Sequence, residues 1–90
     1  MVSFGELSAK HRRTREAIFE RPDRSDIAWR DIEGLFVALG GEVSAGAGSR
    51  VRVALSDVRA VFHRPHPERI TDKGAVKSVR RFLQAAGVEP

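Results

Sequence analysis

Two six-residue runs, Arg50 to Leu55 and Val58 to His63, are separated by Ser56-Asp57 alone. In the first, Arg50, Arg52 and Ala54 alternate with Val51, Val53 and Leu55. In the second, Val58, Ala60 and Phe62 alternate with Arg59, Val61 and His63. A period of two is the mark of a half-buried strand, and a two-residue connection fits a tight hairpin. That loop sets Leu55 opposite Val58, Val53 opposite Ala60 and Val51 opposite Phe62. All six apolar side chains then share one face. The other face carries Ala54 with Arg59, Arg52 with Val61, and Arg50 with His63. A one-residue slip would turn the arginines into the core, so the register is strongly specified. The rest of the chain has to cover the apolar face, and the basic face stays wet.

The covering elements are legible as helices. Trp29, Ile32, Leu35, Phe36 and Leu39 recur at steps of three and four, which predicts a helix over Ala28 to Leu39, stopped by Gly40-Gly41. Ala75, Val76, Val79, Phe82, Leu83 and Ala86 predict a last helix, capped by Thr71 or Asp72 and ended by Gly87. Lys73, Lys77, Arg80 and Arg81 are expected on its remaining surface. Ser8 to Glu20 reads as a charged helix with a thin apolar stripe, in which His11 is expected to be solvated. Arg21 to Asp26 reads as a turn or linker. Glu42 to Ala45 is a third, short strand, followed by a small-residue loop. Arg64-Pro65-His66-Pro67 leaves the sheet, since proline cannot donate to a ladder. The reading is α+β: a helix, a three-stranded antiparallel sheet with helices on one face, and a closing helix (α-β-β-β-α), preceded by a helical extension. Residues 1–26 are taken as extension and linker, and 27–90 as the domain.

Composition narrows the chemistry. There is no cysteine, which removes disulfides, thiolate metal sites and a cysteine nucleophile. No apolar run approaches the roughly 18 residues of a membrane span. The N-terminal residues lack a signal-peptide pattern, so a cytoplasmic location is expected. The net charge of +4 is unevenly spread: residues 46–90 hold nine Lys/Arg against four Asp/Glu, whereas residues 1–45 hold seven against eight. Thirteen of the 16 basic residues are Arg, whose planar fork matches phosphate and carboxylate. The basic half thus fits a nucleic-acid backbone, although an arginine-rich genome yields the same count. Gly46-Ala47-Gly48-Ser49 precedes a strand and lacks a following Gly-Lys, so it is not a phosphate-binding loop.

His63 and His66 are the candidates for acid–base work, because imidazole titrates near neutrality. Neighbouring arginines offer charge for a developing phosphorane. Two histidines without a third ligand do not make a metal site, and neither metal nor cofactor is expected. Trp29 belongs to the helical stripe and reads as a core residue rather than a base-stacking one.

Gly40, Gly48-Ser49, Pro65-His66, Lys73-Gly74-Ala75-Val76, Val79, Phe82-Leu83 and Ala86-Gly87 together resemble the HicA toxin family of bacterial toxin–antitoxin systems, over about residues 27–90. The resemblance implies a fold like a double-stranded-RNA-binding domain, metal-independent mRNA cleavage, and neutralisation by a HicB-type antitoxin. Family members usually read Gly-Ser-His at the start of the second strand, with that histidine catalytic. Here Gly48-Ser49-Arg50 stands instead, and arginine cannot act as a general base. The expected replacement is His63, across the hairpin from Arg50, together with His66. Ser49, Arg50, Arg52, Arg59, Arg64 and Lys73 are the expected RNA contacts. The alternative is a non-catalytic RNA-binding or protein-interaction module on the same fold.

Overall fold

The computed structural model describes residues 7–65 and 69–90. Helix α1 (Ala9–Phe19) is followed by a two-residue strand β1 (Ile27–Ala28) and helix α2 (Trp29–Ala38). Strands β2 (Glu42–Ala45), β3 (Arg50–Leu55) and β4 (Val58–His63) come next. A second two-residue strand, β5 (Ile70–Thr71), leads into helix α3 (Lys73–Ala85).

The β2-β3-β4 sheet is antiparallel throughout, and the β3–β4 register pairs Leu55 with Val58, Val53 with Ala60, Val51 with Phe62 and Arg50 with His63. This is the register that the alternation predicts. Val51, Val53, Leu55 and Phe62 are buried, while Arg50, Arg52, Arg59 and His63 are exposed. Ser56 takes φ 53° to make the tight turn.

Each long helix facing the sheet ends as its sequence dictates. Gly40 (φ 90°) and Gly87 (φ 89°) adopt the left-handed conformation that L side chains avoid. Gly40 and Gly41 N–H groups then return to the Val37 and Phe36 carbonyls, and those of Gly87 and Val88 to Gln84 and Leu83. Asp72, rather than Thr71, caps α3: its carboxylate accepts from Ala75 N–H at 2.8 Å.

The core joins the inner sheet face to α2 and α3, and α1 adds Ala17 and Ile18. Four aromatic rings lie at its centre. Phe62 stacks on Phe36 at 5.8 Å, meets Phe82 edge-on at 5.7 Å and lies 5.9 Å from Trp29. Trp29 is thus a core residue, as its place in the stripe predicts.

Three features differ from the sequence reading. Strand β1 pairs antiparallel with β5, Ile27 with Thr71 and Ala28 with Ile70, a ladder too short to leave a pattern. His11 is half-buried over Gly34 rather than solvated. Arg80 is buried rather than on the surface: its guanidinium donates to the Ile18 carbonyl at 3.0 Å and to Asp23 at 2.6 Å. It ties the chain before residue 27 to α3. No helix among the described residues is long and apolar enough to cross a membrane.

Candidate nucleic-acid interface

The alternation that buries Val51, Val53 and Phe62 forces Arg50, Arg52, Arg59 and His63 outward together. Arg50 and His63 are direct cross-strand partners at one end of the outer face. Arg52 lies at its centre, between Ser44 on β2 and Val61 on β4. Arg59 and Glu42 flank Ala54 at the far end. Arg52, Arg59, Ser44, Glu42 and Val61 line a shallow hollow of about 580 Å³. Three guanidiniums against the single carboxylate of Glu42 make this face a cationic one.

Beyond Arg50 and His63 the sheet runs into a cleft of about 590 Å³ lined by Trp29, Arg30, Glu33, Gly48, Ser49, Arg64, Pro65 and Arg69. Its walls are joined by the Arg64 N–H, which donates to the Ser49 carbonyl at 2.9 Å. Glu33, on α2, organises the polar side. It accepts two hydrogen bonds from Arg64, at 2.8 and 3.1 Å, and one from the Trp29 indole N–H. The Arg64 hydrogen bonds hold the Glu33 carboxyl below its usual range. Partial burial opposes them, and the indole adds to them.

The structure therefore brings the expected residues into two adjoining groups. Arg50, Arg52, Arg59 and His63 share the outer sheet face; Ser49 and Arg64 line the cleft next to it. Lys73 is exposed at the start of α3 and lines neither the cleft nor the hollow. His66 lies outside the described residues. Arg64 is not an unengaged cation, since Glu33 already holds its guanidinium.

Glu33, Arg30 and Arg69 are cleft residues that sequence reasoning did not single out. Trp29 and Glu33 stand four apart on one helix, a spacing that brings side chains together, so this pair left a local signal. Arg64 is 31 residues from Glu33, and nothing local announces that pair.

Residues 29–88 match the family model described as the HicA toxin of bacterial toxin–antitoxin. The chain belongs to the HicA toxin family. No curated protein and no solved structure matches it. The α+β fold, with its three-stranded antiparallel sheet covered by helices on one face, is the double-stranded-RNA-binding-domain-like arrangement that the family resemblance implies. As a member, this HicA chain is the toxin component of a toxin–antitoxin pair. The match covers α2 through α3, beginning at Trp29, so α1 and β1 lie outside it.

Proposed function

We propose that this HicA chain binds mRNA across the outer face of β2-β3-β4 and the adjoining cleft, and cleaves it without a metal. A HicB-type antitoxin would neutralise it. The observation that carries the reading is the cross-strand pair Arg50–His63 on an exposed face that also bears Arg52 and Arg59.

Scission by this route is an internal transfer. His63 takes the proton of a ribose 2′-hydroxyl, and the 2′-oxygen attacks the adjacent phosphorus. The bond from phosphorus to the 5′-oxygen of the next nucleotide breaks. The products are a 2′,3′-cyclic phosphate and a 5′-hydroxyl, the latter protonated by a second acid, for which His66 is the candidate. Arg50 supplies positive charge where the phosphoryl oxygens gain negative charge. Arg52 and Arg59 hold flanking phosphates, and Ser49, Arg64 and Lys73 extend the contact.

The test is cleavage of a single-stranded RNA, read beside growth arrest on expression. His63→Ala is expected to abolish both while leaving folding and RNA binding near wild type, with His66→Ala milder. Arg52→Ala and Arg59→Ala are each expected to flatten the dependence of log affinity on log salt by about 0.7. Equal cleavage by wild type and His63→Ala overturns the assignment of the base.

Arg50, where the family usually has its histidine, favours a second reading: a binding module on a toxin fold. Under it, wild type binds but does not cut, and Arg50→His creates cleavage.

A further inference from the structure

Strand β4 is an edge. Among the described residues it pairs with β3 and with no other strand. The Arg64 N–H bond to the Ser49 carbonyl fixes which residues face which way. In an antiparallel ladder, hydrogen-bonded and non-hydrogen-bonded pairs alternate. If Ser49 and Arg64 form a hydrogen-bonded pair, so do Val51–Phe62, Val53–Ala60 and Leu55–Val58. The N–H and C=O groups of Arg59, Val61 and His63 then point away from β3, out of the free edge. None of the six has a hydrogen-bond partner among the described residues.

These groups open onto a groove of about 650 Å³ between β4 and the first two turns of α3. Its α3 wall is lined by Gly74, Ala75 and Ser78, with the Asp72 carboxylate at the start of the helix, already engaged as its cap, and Arg81 further along. A strand laid against β4 would therefore meet small side chains on the inner side. On the outer side its side chains would stand beside Arg59, Val61 and His63. Val61 is itself 55% exposed, at the middle of the edge.

Natural sheets protect long edges; among the described residues no further strand covers β4, and its outer positions carry Arg59. That charge selects the occupant. Pairing with a second copy about a two-fold axis through Val61 would oppose Arg59 to His63, which brings no carboxylate to either guanidinium. An acidic segment brings a carboxylate to the Arg59 guanidinium at one end and a hydrogen-bond acceptor to the His63 imidazole at the other.

We propose that β4 is the docking edge for an extended acidic segment of the antitoxin partner. The segment adds as a fourth strand, with an acidic residue beside Arg59, an apolar one beside Val61 and an acidic one beside His63. Main-chain bonds hold it and the alternating side chains select it. The added strand covers the His63 edge, so docking and access of RNA to that end of the sheet exclude one another. This rests on the toxin–antitoxin reading above and adds to it how the partner is grasped.

The probe is a capped peptide, Thr-Glu-Ala-Val-Ala-Glu-Thr, added to the full chain. Amide hydrogen exchange is expected to slow at Arg59, Val61 and His63 together, by about tenfold at a peptide concentration ten times its dissociation constant. Val61→Pro removes an N–H that points off the edge rather than into the ladder, so the fold tolerates it. It is expected to weaken peptide binding about tenfold or more. Methylating the peptide's central amides is expected to do the same with the protein unaltered, whatever Val61→Pro does to folding. Absence of binding, binding without protection of those three amides, or equal binding of the Lys-for-Glu peptide overturns the proposal. So does concentration-dependent protection without peptide, which assigns the edge to a second copy. RNA binding by the peptide-free chain is measured separately. If RNA binds and the three amides stay unprotected, strand addition fails and the RNA reading stands; if the amides are protected and RNA does not bind, the reverse holds.

Discussion

Replacing Arg80 with Met tests how much one buried guanidinium adds to the packing that holds the chain before residue 27 to the domain. Arg80 is 3% exposed, and its Nη1 and Nη2 donate to Ile18 O at 3.0 Å and Asp23 Oδ1 at 2.6 Å. The Ile18 carbonyl belongs to the last turn of α1, where helical carbonyls lack an intrahelical partner. Met keeps most of the stem packing and removes both donors. Removing one member of a buried pair costs about 3–5 kcal/mol, and water reaching Asp23 places this case near the lower end, at about 3 kcal/mol. For a domain of this size that lowers Tm by roughly 12 °C or more. Urea unfolding gives the loss directly, and amide exchange is expected to show α1 opening more readily than β3. The Arg80 hydrogen bond also holds the Asp23 carboxyl below its usual value. Stability from a depressed carboxyl is complete above the unfolded value of about 3.9 and is lost as pH falls through the folded one. The gap between wild type and Arg80→Met should therefore be constant from neutral pH down to about 5 and narrow below about 4. A loss under about 1 kcal/mol at pH 7, or a gap undiminished in acid, would refute the account.

Two further substitutions probe the chain between core and cleft. A Cβ on Gly41 would lie 2.9 Å from the Phe36 carbonyl oxygen and 3.0 Å from that of Ala54, both backbone atoms that cannot step aside; Gly41→Ala is expected to cost about 1–3 kcal/mol by urea titration, and wild-type stability would show that the α2–β2 junction yields. Glu33→Gln keeps an acceptor for the Trp29 indole but frees the Arg64 guanidinium. RNA should then bind more tightly, with a salt dependence steeper by about 0.7 in the log–log slope. Weaker binding or an unchanged slope would show that Glu33 positions Arg64 rather than restraining it.

What the sequence revealed follows from which interactions are periodic. The β3–β4 register was legible because alternation and a two-residue loop point to the same pairing. The faces of α2 and α3 were legible because Trp29, Ile32, Leu35, Phe36, Val76, Val79, Phe82 and Leu83 hold helical spacing. Arg80 is the instructive exception. It stands four residues after Val76 and three before Leu83, within the apolar stripe, yet its charge argues for the surface. A carboxylate 57 residues away and a carbonyl 62 residues away satisfy the buried guanidinium, and such partners leave no local trace. The Glu33–Arg64 bond and the β1–β5 ladder are non-local in the same sense. His66 was named from sequence, and its placement lies outside the described residues.

The same periodicity separates what holds the fold from what acts on its surface. Strand positions of one parity carry Val51, Val53, Leu55 and Phe62 into the core, so they answer to packing. Those of the other parity carry Arg50, Arg52, Arg59 and His63 outward, where substitutions cost little stability. An exchange of His for Arg at position 50 is thus permitted by the fold, since both project to solvent from the same edge of the core. It also leaves His63 where it was, because the hairpin cannot slip to compensate without burying three arginines. Phe62, locked between Phe36 and Phe82, fixes the backbone that carries His63 and Arg64 on either side of the boundary between sheet face and cleft. Phe62→Leu preserves apolarity but loses the ring contacts with Phe36, Phe82 and Trp29. Its effect on the His63 edge should therefore exceed that of any outer-face substitution, visible as faster amide exchange through β4 with the β2–β3 pairing retained. Uniform loosening of all three strands would instead make the sheet a single cooperative unit, with no separate control over the edge.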